Sequence, residues 1–304
     1  MTRAPHPPDL RTSFQARPPP RLLPSARTSG HRSPRGALRI TQTATHREHA
    51  IALPDTPLAS VPPPGCRVFI TGGAQGIGRA MADAFAARGA RIAILDAAAM
   101  PDAPAAWIIH QGSVADPVAV EGVVAEMEQK WGGIDVAIAN AGLSANRPTL
   151  GITPDAWRQV LDVNLTGVFL TAQAAARRMV PARAGVILAT TSIYADRGGA
   201  ERAAYAATKG GVANLVRALA CEWGASNVRV NGISPGYADT ALTRALIADG
   251  RIDPVAIIGR TPMRRLGRTQ EAAAVACFLA SPAAAFINGA ILPVDGGWGA
   301  NTGP

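Results

Sequence analysis

The chain has 304 residues, of which 48% are hydrophobic and 17% are charged, and this composition is typical of a globular protein with a large core. The formal net charge of +9 is concentrated in residues 1–64, which hold nine arginines against three acidic residues, so the rest of the chain shows no nucleic-acid signal. No run of 18 or more uncharged apolar residues occurs, which excludes a membrane-spanning helix.

Residues 1–64 are expected to form a disordered extension ahead of a single domain over residues 65–304. Thirteen of the 25 prolines fall in this extension, and few of its residues are large and apolar. Such a segment cannot bury enough surface to offset its chain entropy. It is interpreted as a functionless extension or as sequence upstream of the true start. An organelle transit peptide and a nucleic-acid-binding tail are the alternatives.

The domain opens with a short apolar strand, residues 66–70, which leads into the glycine-rich sequence TGGAQGIG at residues 71–78. Apolar residues at helical spacing follow, so the pattern predicts strand, tight turn and helix. This arrangement binds phosphate, because glycines let the backbone approach a pyrophosphate and the helix N-terminus presents free amides to it. The predicted contacts are Gly72, Gln75, Gly76, Ile77 and Gly78.

A second predicted strand, residues 91–95, ends at Asp96, which lies 18 residues after Gly78. An acidic residue at this spacing accepts hydrogen bonds from the adenosine ribose hydroxyls of a dinucleotide. A carboxylate also repels a 2′-phosphate, so the sequence favours NAD over NADP.

Further strands and helices alternate along the chain. Strands are predicted at residues 107–109 and 136–139, with a helix over residues 118–130 between them. This alternation predicts an α/β fold: a single Rossmann-type, doubly wound parallel sheet flanked by helices, with ligands at the carboxyl ends of the strands.

An apolar run at residues 186–188 predicts a buried strand that ends in the hydroxyl cluster Thr190, Thr191 and Ser192. A helix is predicted to open near Ala203. On it, Tyr205 and Lys209 are four residues apart and therefore share one face. A phenol beside a fixed ammonium is a candidate acid/base if its pKa falls by about 3 units from its usual value of about 10.

Taken together, these motifs resemble the short-chain dehydrogenase/reductase family across residues 66–298. The motifs are TGGAQGIG, Asp96, NAG (140–142), Asn164 in VNLTG, Ser192, YAATK (205–209), PGYADT (235–240) and VDGGW (294–298). The resemblance implies a nicotinamide-dependent oxidoreductase that acts on CH–OH groups. The catalytic residues that it implies are Asn164, Ser192, Tyr205 and Lys209.

The resemblance also assigns roles to individual residues. Tyr205 is the general acid/base, Ser192 donates a hydrogen bond to the substrate oxygen, and Lys209 lowers the tyrosine pKa and holds the nicotinamide ribose. Asn164, in a helix after strand four, anchors a water that relays protons, and Thr240 contacts the nicotinamide carboxamide. The remaining cofactor contacts that the resemblance implies are Ser113, Val114, Asn140, Gly142, Pro235, Gly236 and Ala238.

Three positions depart from the family pattern. Ala139 stands where a second asparagine often precedes NAG, with little consequence expected. Ser113 stands where an acidic residue usually contacts the adenine amine, so that contact is in doubt. Asn227 replaces the usual glycine before strand six. Since asparagine is the next best residue for a left-handed conformation, the turn is expected to survive.

Substrate specificity is expected in the loops over residues 143–147, 193–202 and 237–258. The second loop is unusually polar, and Tyr194 is expected to form a pocket wall. These features favour a small secondary alcohol or ketone, such as a sugar, polyol or hydroxy acid. The alternatives are a 3-oxoacyl-thioester reductase that uses NADPH and a catalytically inactive NAD-sensing relative.

The expected partners are a small-molecule substrate and further copies of the chain, with neither nucleic acid nor membrane. An apolar stripe on the predicted helix after Ala203 (Val212, Leu215, Val216, Leu219 and Trp223) is wider than one sheet face needs. Members of the family that the chain resembles usually pair through this helix and the one near residues 160–179, so a dimer or tetramer is expected.

The cysteines at positions 66, 221 and 277 are widely spaced and odd in number, so they are expected to be buried thiols in a reducing, cytoplasmic compartment. Four of the five histidines lie within the first 49 residues, which leaves His110 for the domain. No metal site is therefore expected.

Overall fold

The computed structural model describes residues 59–144 and 146–301. Most of the predicted disordered extension, residues 1–58, lies outside the described residues. Residues 59–64, which were assigned to that extension, contact the domain, since the carbonyl of Ala59 accepts a hydrogen bond from the amide of Ala283 at 3.0 Å.

A seven-stranded parallel sheet forms the centre of the domain, in the order β3-β2-β1-β4-β5-β6-β7. The order reverses direction between β1 and β4, which makes the sheet doubly wound and confirms the predicted fold class. The strands are β1 Arg67–Thr71, β2 Arg91–Asp96, β3 Ile108–Gln111, β4 Val136–Ala139, β5 Gly185–Thr190, β6 Val228–Pro235 and β7 Ile291–Val294.

Helices cover both faces of the sheet, as expected for parallel strands joined by crossovers. They are α1 Gly76–Ala86, α2 Pro117–Trp131, α3 Pro154–Leu161, α4 Gly167–Ala182, α5 Ala203–Trp223, α6 Ala241–Ala248, α7 Pro254–Arg260 and α8 Thr269–Ala280. Short 3₁₀ turns occur at Thr149–Gly151, Gly224–Ser226 and Pro282–Ala284, and a π-helical segment spans Asp162–Thr166.

The alternation of side chains along each strand divides the core between the two faces. On β1, Phe69 packs with residues of α2, α4 and α5, whereas Val68 and Ile70 pack with α1 and α8. All three are fully buried. The sheet is therefore held rigidly from both sides, and its carboxyl edge is free to carry a site.

Local sequence accounts for several element boundaries. Asp116, Thr153 and Asp253 each accept a hydrogen bond from an amide of the following helix, and each is followed by proline at the first helical position. Asn227 adopts the left-handed conformation (φ 56°) as expected, and its side chain donates a hydrogen bond to the carbonyl of Arg183.

Two expectations need correction. Cys66 and Cys277 are buried free thiols, but Cys221 is an exposed one because it lies on the outer face of α5. Residues 237–258 do not form one loop, since they contain α6 and the beginning of α7. Three residues of the predicted apolar stripe on α5 face the sheet core: Val212, Val216 and Leu219.

No helix in the described part of the chain has the length and apolarity needed to cross a bilayer.

Candidate active site

A cavity of about 530 Å³ opens at the carboxyl edge of the sheet, where the strand order reverses. Open α/β sheets bind ligands in this crevice, and the volume is within the usual range for small-molecule sites. Predicted site residues that line it are Gly72, Gln75, Gly76, Ile77, Asp96, Asn140, Gly142, Ser192, Tyr205, Lys209, Pro235, Gly236, Ala238 and Thr240.

The glycine-rich turn between β1 and α1 forms the floor of the cavity. Gly72 and Gly76 have positive φ angles of 69° and 61°, which glycine adopts without strain. A Cβ on Gly76 would meet only the methyl group of Thr240, at 3.6 Å, so its backbone faces open space. The first turn of α1 has no side-chain cap and no acidic residue, so its amides are left for an anion.

Gly78 has a packing role instead. A Cβ there would lie 2.0 Å from the carbonyl oxygen of Gly72 and 2.4 Å from Nδ2 of Asn140. The residue is buried and is not among those that line the cavity. It therefore allows the helix to approach the turn rather than touching a ligand itself.

Asp96 is fixed at the end of β2 by two backbone amides. One carboxylate oxygen accepts from Ala74 at 2.9 Å, and the other accepts from Ala98 at 2.9 Å. The first bond connects the acid directly to the glycine-rich turn. The neighbouring lining residues Ala97, Ala98 and Gln75 carry no positive charge.

These features fit a dinucleotide: a turn that approaches the ligand closely, uncapped helix amides and a fixed carboxylate one strand away. Asn140 ties the arrangement together. Its Nδ2 donates to the carbonyl of Gly72 at 2.9 Å, and its Oδ1 accepts from the hydroxyl of Thr190 at 3.0 Å. The ends of β1, β4 and β5 are therefore held in register around the cavity.

Asn164 lies in a helical region after β4, as predicted, within the π-helical segment of that region. It is fully buried. Its Oδ1 accepts from the amide of Leu143 at 2.6 Å, and its Nδ2 donates to the carbonyl of the same residue at 2.9 Å. The π-bulge, a feature often found at functional sites, thus aims this amide at the loop after β4.

Asn164 does not line the cavity but lies directly behind it. A Cβ on Gly142 would be 3.4 Å from Asn164 Oδ1 and 3.7 Å from Lys209 Nζ. Gly142 therefore lies beside both polar atoms, and an added methyl group would be in van der Waals contact with each of them.

Lys209 and Tyr205 project from α5 toward the end of β5. Lys209 is 3% exposed, its Nζ donates to the carbonyl of Thr190 at 2.7 Å, and Nζ lies 5.7 Å from the centre of the Tyr205 ring. Burial lowers the pKa of Lys209 to about 8.

The pKa of Tyr205 behaves differently from the sequence expectation. Burial raises the pKa of this phenol, and the opposing effects of a hydrogen bond with Ser192 and the charge of Arg202 are smaller. In the protein alone the pKa is therefore not lowered. Positive charge close to the hydroxyl would lower this pKa and favour proton transfer near neutral pH.

The loop after β6 closes the cavity from the other side. Thr240 accepts a hydrogen bond from the amide of Thr243 at 3.1 Å and so caps α6. Gly236 permits a close approach, since a Cβ there would lie 2.8 Å from Cα of Asp295. Gly236 and Thr240 therefore place the segment that begins at Pro235 close to the glycine-rich turn.

Two predicted cofactor residues, Ser113 and Val114, do not line the cavity. The Ser113 hydroxyl accepts a hydrogen bond from the amide of Ala115 at 3.2 Å. Val114 is buried against Gly167, where a Cβ would lie 2.6 Å from its Cγ2. In this structure they form a turn and a packing contact.

Aromatic side chains form the opposite end of the cavity, where only Tyr194 was expected. Its ring packs edge-on against Tyr205 with 6.3 Å between centroids, and its hydroxyl lies 2.9 Å from that of Tyr237. Tyr237 in turn packs on the buried ring of Trp298 at 5.3 Å. The motif residues Tyr237 and Trp298 were present in the sequence, but no local signal placed them together.

The polar residues of the loop after β5 separate into two groups. Arg202 lines the cavity. Arg197 instead donates a hydrogen bond to the carbonyl of Gly299, and Asp196 and Glu201 are exposed.

Among the described residues, no group of three or more His, Cys, Asp or Glu side chains could hold a metal ion.

Known proteins resemble this chain in sequence across nearly the whole domain. A family model described as enoyl-(acyl carrier protein) reductase matches residues 72–299. The chain is 41% identical over 240 residues to cis-4-hydroxycyclohexanecarboxylate dehydrogenase of Sinomonas cyclohexanicum, covering 75% of this chain and 94% of that one. It is 38% identical over 232 residues to the 3-oxoacyl-[acyl-carrier-protein] reductase MabA of Mycobacterium bovis, covering 76% and 92%.

A solved structure is equally similar. The crystal structure of a gluconate 5-dehydrogenase from Burkholderia cenocepacia in complex with NADP and tartrate superimposes with a TM-score of 0.74 and is 35% identical. The match covers 79% of this chain and 97% of that one. The chain therefore shares both sequence and architecture with these proteins over nearly their whole length.

Proposed function

Since the chain belongs to the short-chain dehydrogenase/reductase family and is a nicotinamide-dependent oxidoreductase of hydroxyl and keto groups, we propose that it transfers hydride between NAD and a small polar secondary alcohol. The observation that carries the proposal is the position of Tyr205 and buried Lys209 at the mouth of a cavity whose floor is a dinucleotide turn.

In the proposed reaction, Tyr205 accepts the proton of the substrate hydroxyl at Oη while the carbinol hydrogen leaves with its electron pair. A bound oxidised nicotinamide supplies the hydride acceptor and a positive charge near the phenol. Ser192 donates a hydrogen bond to the same substrate oxygen. In the reverse direction Tyr205 returns the proton to the carbonyl oxygen. Positioned acid–base catalysis of this kind contributes about 10²–10⁴-fold.

Lys209 contributes a positive charge behind the phenol, and its ammonium is held by the Thr190 carbonyl. Asn164 acts through the loop after β4, whose Leu143 it binds at both backbone groups. We therefore treat Asn164 as a positioning residue. It fixes the backbone at the residue after Gly142.

We propose NAD as the preferred cofactor because Asp96 is the acid at the adenosine end and no lysine or arginine among the lining residues lies beside it. A 2′-phosphate would meet a carboxylate there and find no compensating cation. NADP is the alternative, since similar structures contain it.

The substrate that we propose is a sugar, polyol or hydroxy acid. The tyrosine hydroxyls and Arg202 make the substrate end polar, which suits hydroxylated compounds. Relatives named for hydroxycyclohexanecarboxylate and gluconate point the same way. A 3-oxoacyl-thioester reductase is the second candidate because of the similarity to MabA, but such an enzyme would prefer NADPH.

A substrate panel tests the proposal. The panel comprises cis-4-hydroxycyclohexanecarboxylate and its carboxamide, gluconate, glucitol, and acetoacetyl thioester in the reducing direction. Each is assayed by the change in NADH or NADPH absorbance. NAD-linked oxidation of one of the four alcohols supports the proposal. Thioester reduction with NADPH alone favours the second candidate, and cofactor binding without any turnover favours an inactive relative.

We also propose a cytoplasmic homo-oligomer. A shallow apolar groove on the outer face of α4 and α5 is lined by Leu165, Phe169, Leu215 and Ala218, and Phe169 is 40% exposed. Leu165 and Leu215 are half-buried against the sheet core, whereas Phe169 and Ala218 are exposed, so the groove is an apolar surface that a second copy of the chain would cover.

A further inference from the structure

Arg202 is the one cation at the substrate end of the cavity besides Lys209, among the described residues. It immediately precedes α5, one helical turn before Tyr205. Its guanidinium lies 5.5 Å from the centre of the Tyr194 ring, which itself packs on Tyr205. The charge is therefore held next to the catalytic phenol rather than in bulk solvent.

This arginine lacks an acidic partner. Arg79, Arg178 and Arg265 each form an ion pair with a nearby carboxylate, whereas no Asp or Glu oxygen in the described ranges lies within 4 Å of Arg202. Among the residues that the structure describes, Asp96 is the only acid that lines the cavity. It belongs to β2, three strands away from β5, which is about 14 Å at the usual strand spacing.

The surroundings do not neutralise the charge either. Tyr194 and Tyr237 pair through their hydroxyls, and burial together with that bond raises the pKa of Tyr237, so this phenol stays neutral. The first turn of α5 contains no acidic residue, although helix N-termini usually favour one. The positive charge of Arg202 therefore adds to the partial positive charge at the N-terminus of α5.

From this arrangement we infer that Arg202 binds a carboxylate of the substrate, so that the enzyme acts on hydroxy acids in preference to neutral polyols. The inference rests on the proposed function and specifies its substrate class. A carboxylate fits because the guanidinium presents paired donors in the geometry that carboxylates accept. The Tyr194 ring contacts both Arg202 and Tyr205, so a carboxylate at Arg202 would place the substrate near the proposed acid/base.

The test compares matched acids and neutral compounds in wild-type enzyme and in Arg202→Met. The pairs are cis-4-hydroxycyclohexanecarboxylate with its carboxamide and gluconate with glucitol. Wild type is expected to prefer at least one acid by about 10-fold or more in kcat/KM. Arg202→Met is expected to lose that preference: kcat/KM should fall about 10- to 100-fold more for the acid than for its neutral partner, whose smaller fall reflects the loss of a positive charge near Tyr205. Arg202→Lys should recover part of it.

Arg91→Met is the matched control, because this exposed arginine lies at the opposite edge of the sheet, at the start of β2. It should leave the acid-to-neutral ratio unchanged. A merely structural role for Arg202 would lower both members of a pair equally, and that result would overturn the inference.

A binding measurement separates this inference from the proposed function. Cyclohexanecarboxylate, which has no reacting hydroxyl, is titrated calorimetrically into the enzyme with NADH present. Binding by wild type that weakens at least 10-fold in Arg202→Met supports the inference whatever the turnover. Equal binding by both, or none by wild type, overturns it, while oxidation of neutral alcohols in the same preparations would leave the proposed function intact.

Discussion

Lys209 donates a hydrogen bond from Nζ to the carbonyl oxygen of Thr190 at 2.7 Å, which ties α5 to the end of β5. The same ammonium lies 5.7 Å from the centre of the Tyr205 ring. With 3% of its surface exposed, Lys209 carries a charge that burial disfavours, so its pKa falls to about 8. Keeping this ammonium charged at neutral pH therefore costs folding free energy relative to the neutral amine.

This relationship predicts how stability depends on pH. Below about pH 8 Lys209 is protonated in both the folded and the unfolded chain. Between about pH 8 and 10 the folded chain releases this proton while the unfolded chain keeps it, so the free energy of unfolding rises with pH, by up to about 1.4 kcal/mol per unit. The raised pKa of Tyr205 puts its own effect above this window.

Urea unfolding of wild type and Lys209→Met across pH 7.5–10 measures the effect. The difference between the two proteins cancels the other titrating groups that they share. Relative to Lys209→Met, wild type should gain stability steadily as the pH rises. A difference that is constant over the whole range would mean that the lysine keeps an ordinary pKa when the chain is folded.

Tyr205→Phe removes the proposed proton acceptor and keeps the ring that packs against Tyr194. We expect turnover to fall by at least about 10²-fold, because the substrate proton loses its acceptor, while NADH binding changes little. Stopped assays give the turnover and the fluorescence of bound NADH gives the affinity. Retention of most of the activity would remove Tyr205 from the mechanism.

Asp96→Asn tests the cofactor preference. The substitution removes the negative charge and keeps an oxygen that can accept from Ala74 or Ala98. The ratio of kcat/KM for NAD to that for NADP should fall by about 10-fold, mainly through improved use of NADP. Asp102→Asn, an exposed acid paired with Arg79, is the control and should leave the ratio unchanged. An unchanged ratio in Asp96→Asn would mean that this carboxylate does not select the cofactor.

Much of the site was predictable because its signals are local in sequence. The glycine-rich turn, Asp96 at a strand end, and the four-residue spacing of Tyr205 and Lys209 each depend on a single strand or helix. The parallel sheet then places these strand ends at one edge, whatever the details of the loops. Periodicity and spacing are sufficient for features of this kind.

The remainder depends on contacts between distant residues. Tyr194 and Tyr237 are 43 positions apart and meet only because β5 and β6 are neighbours. The π-bulge at Asn164 is not visible in a helical pattern, since the same apolar residues fit either helix. Ser113 was carried over from the family pattern by position, although its hydroxyl serves the turn before α2 in this structure.

The apolar groove on the outer face of α4 and α5 predicts that copies of the chain associate through this face. Phe169→Asp places a charge among Leu165, Leu215 and Ala218, and burying it between two copies would be unfavourable. We expect light scattering to report a smaller species than wild type at the same concentration. Leu150→Asp is the control, because Leu150 is fully exposed in a 3₁₀ turn outside the groove. Identical masses for all three proteins would exclude this face as the interface.

Gly78 supplies a prediction about the packing beneath the cofactor turn. An added Cβ would overlap the carbonyl oxygen of Gly72 at 2.0 Å, and backbone cannot move aside as a flexible side chain does. Gly78→Ala should therefore cost about 1–3 kcal/mol or more in the free energy of unfolding and should weaken NADH binding, since the turn must shift. Gly198→Ala makes the same chemical change where no atom lies within 4 Å of the new methyl group, so its stability should stay near that of wild type. Urea unfolding and NADH titration of both variants check this prediction. Equal stabilities of the two variants would mean that α1 tolerates a side chain at its contact with the turn.

A second outcome separates folding from cofactor binding. If Gly78→Ala is less stable but binds NADH as tightly as wild type, the contact between Gly78 and Gly72 contributes to folding and not to cofactor binding.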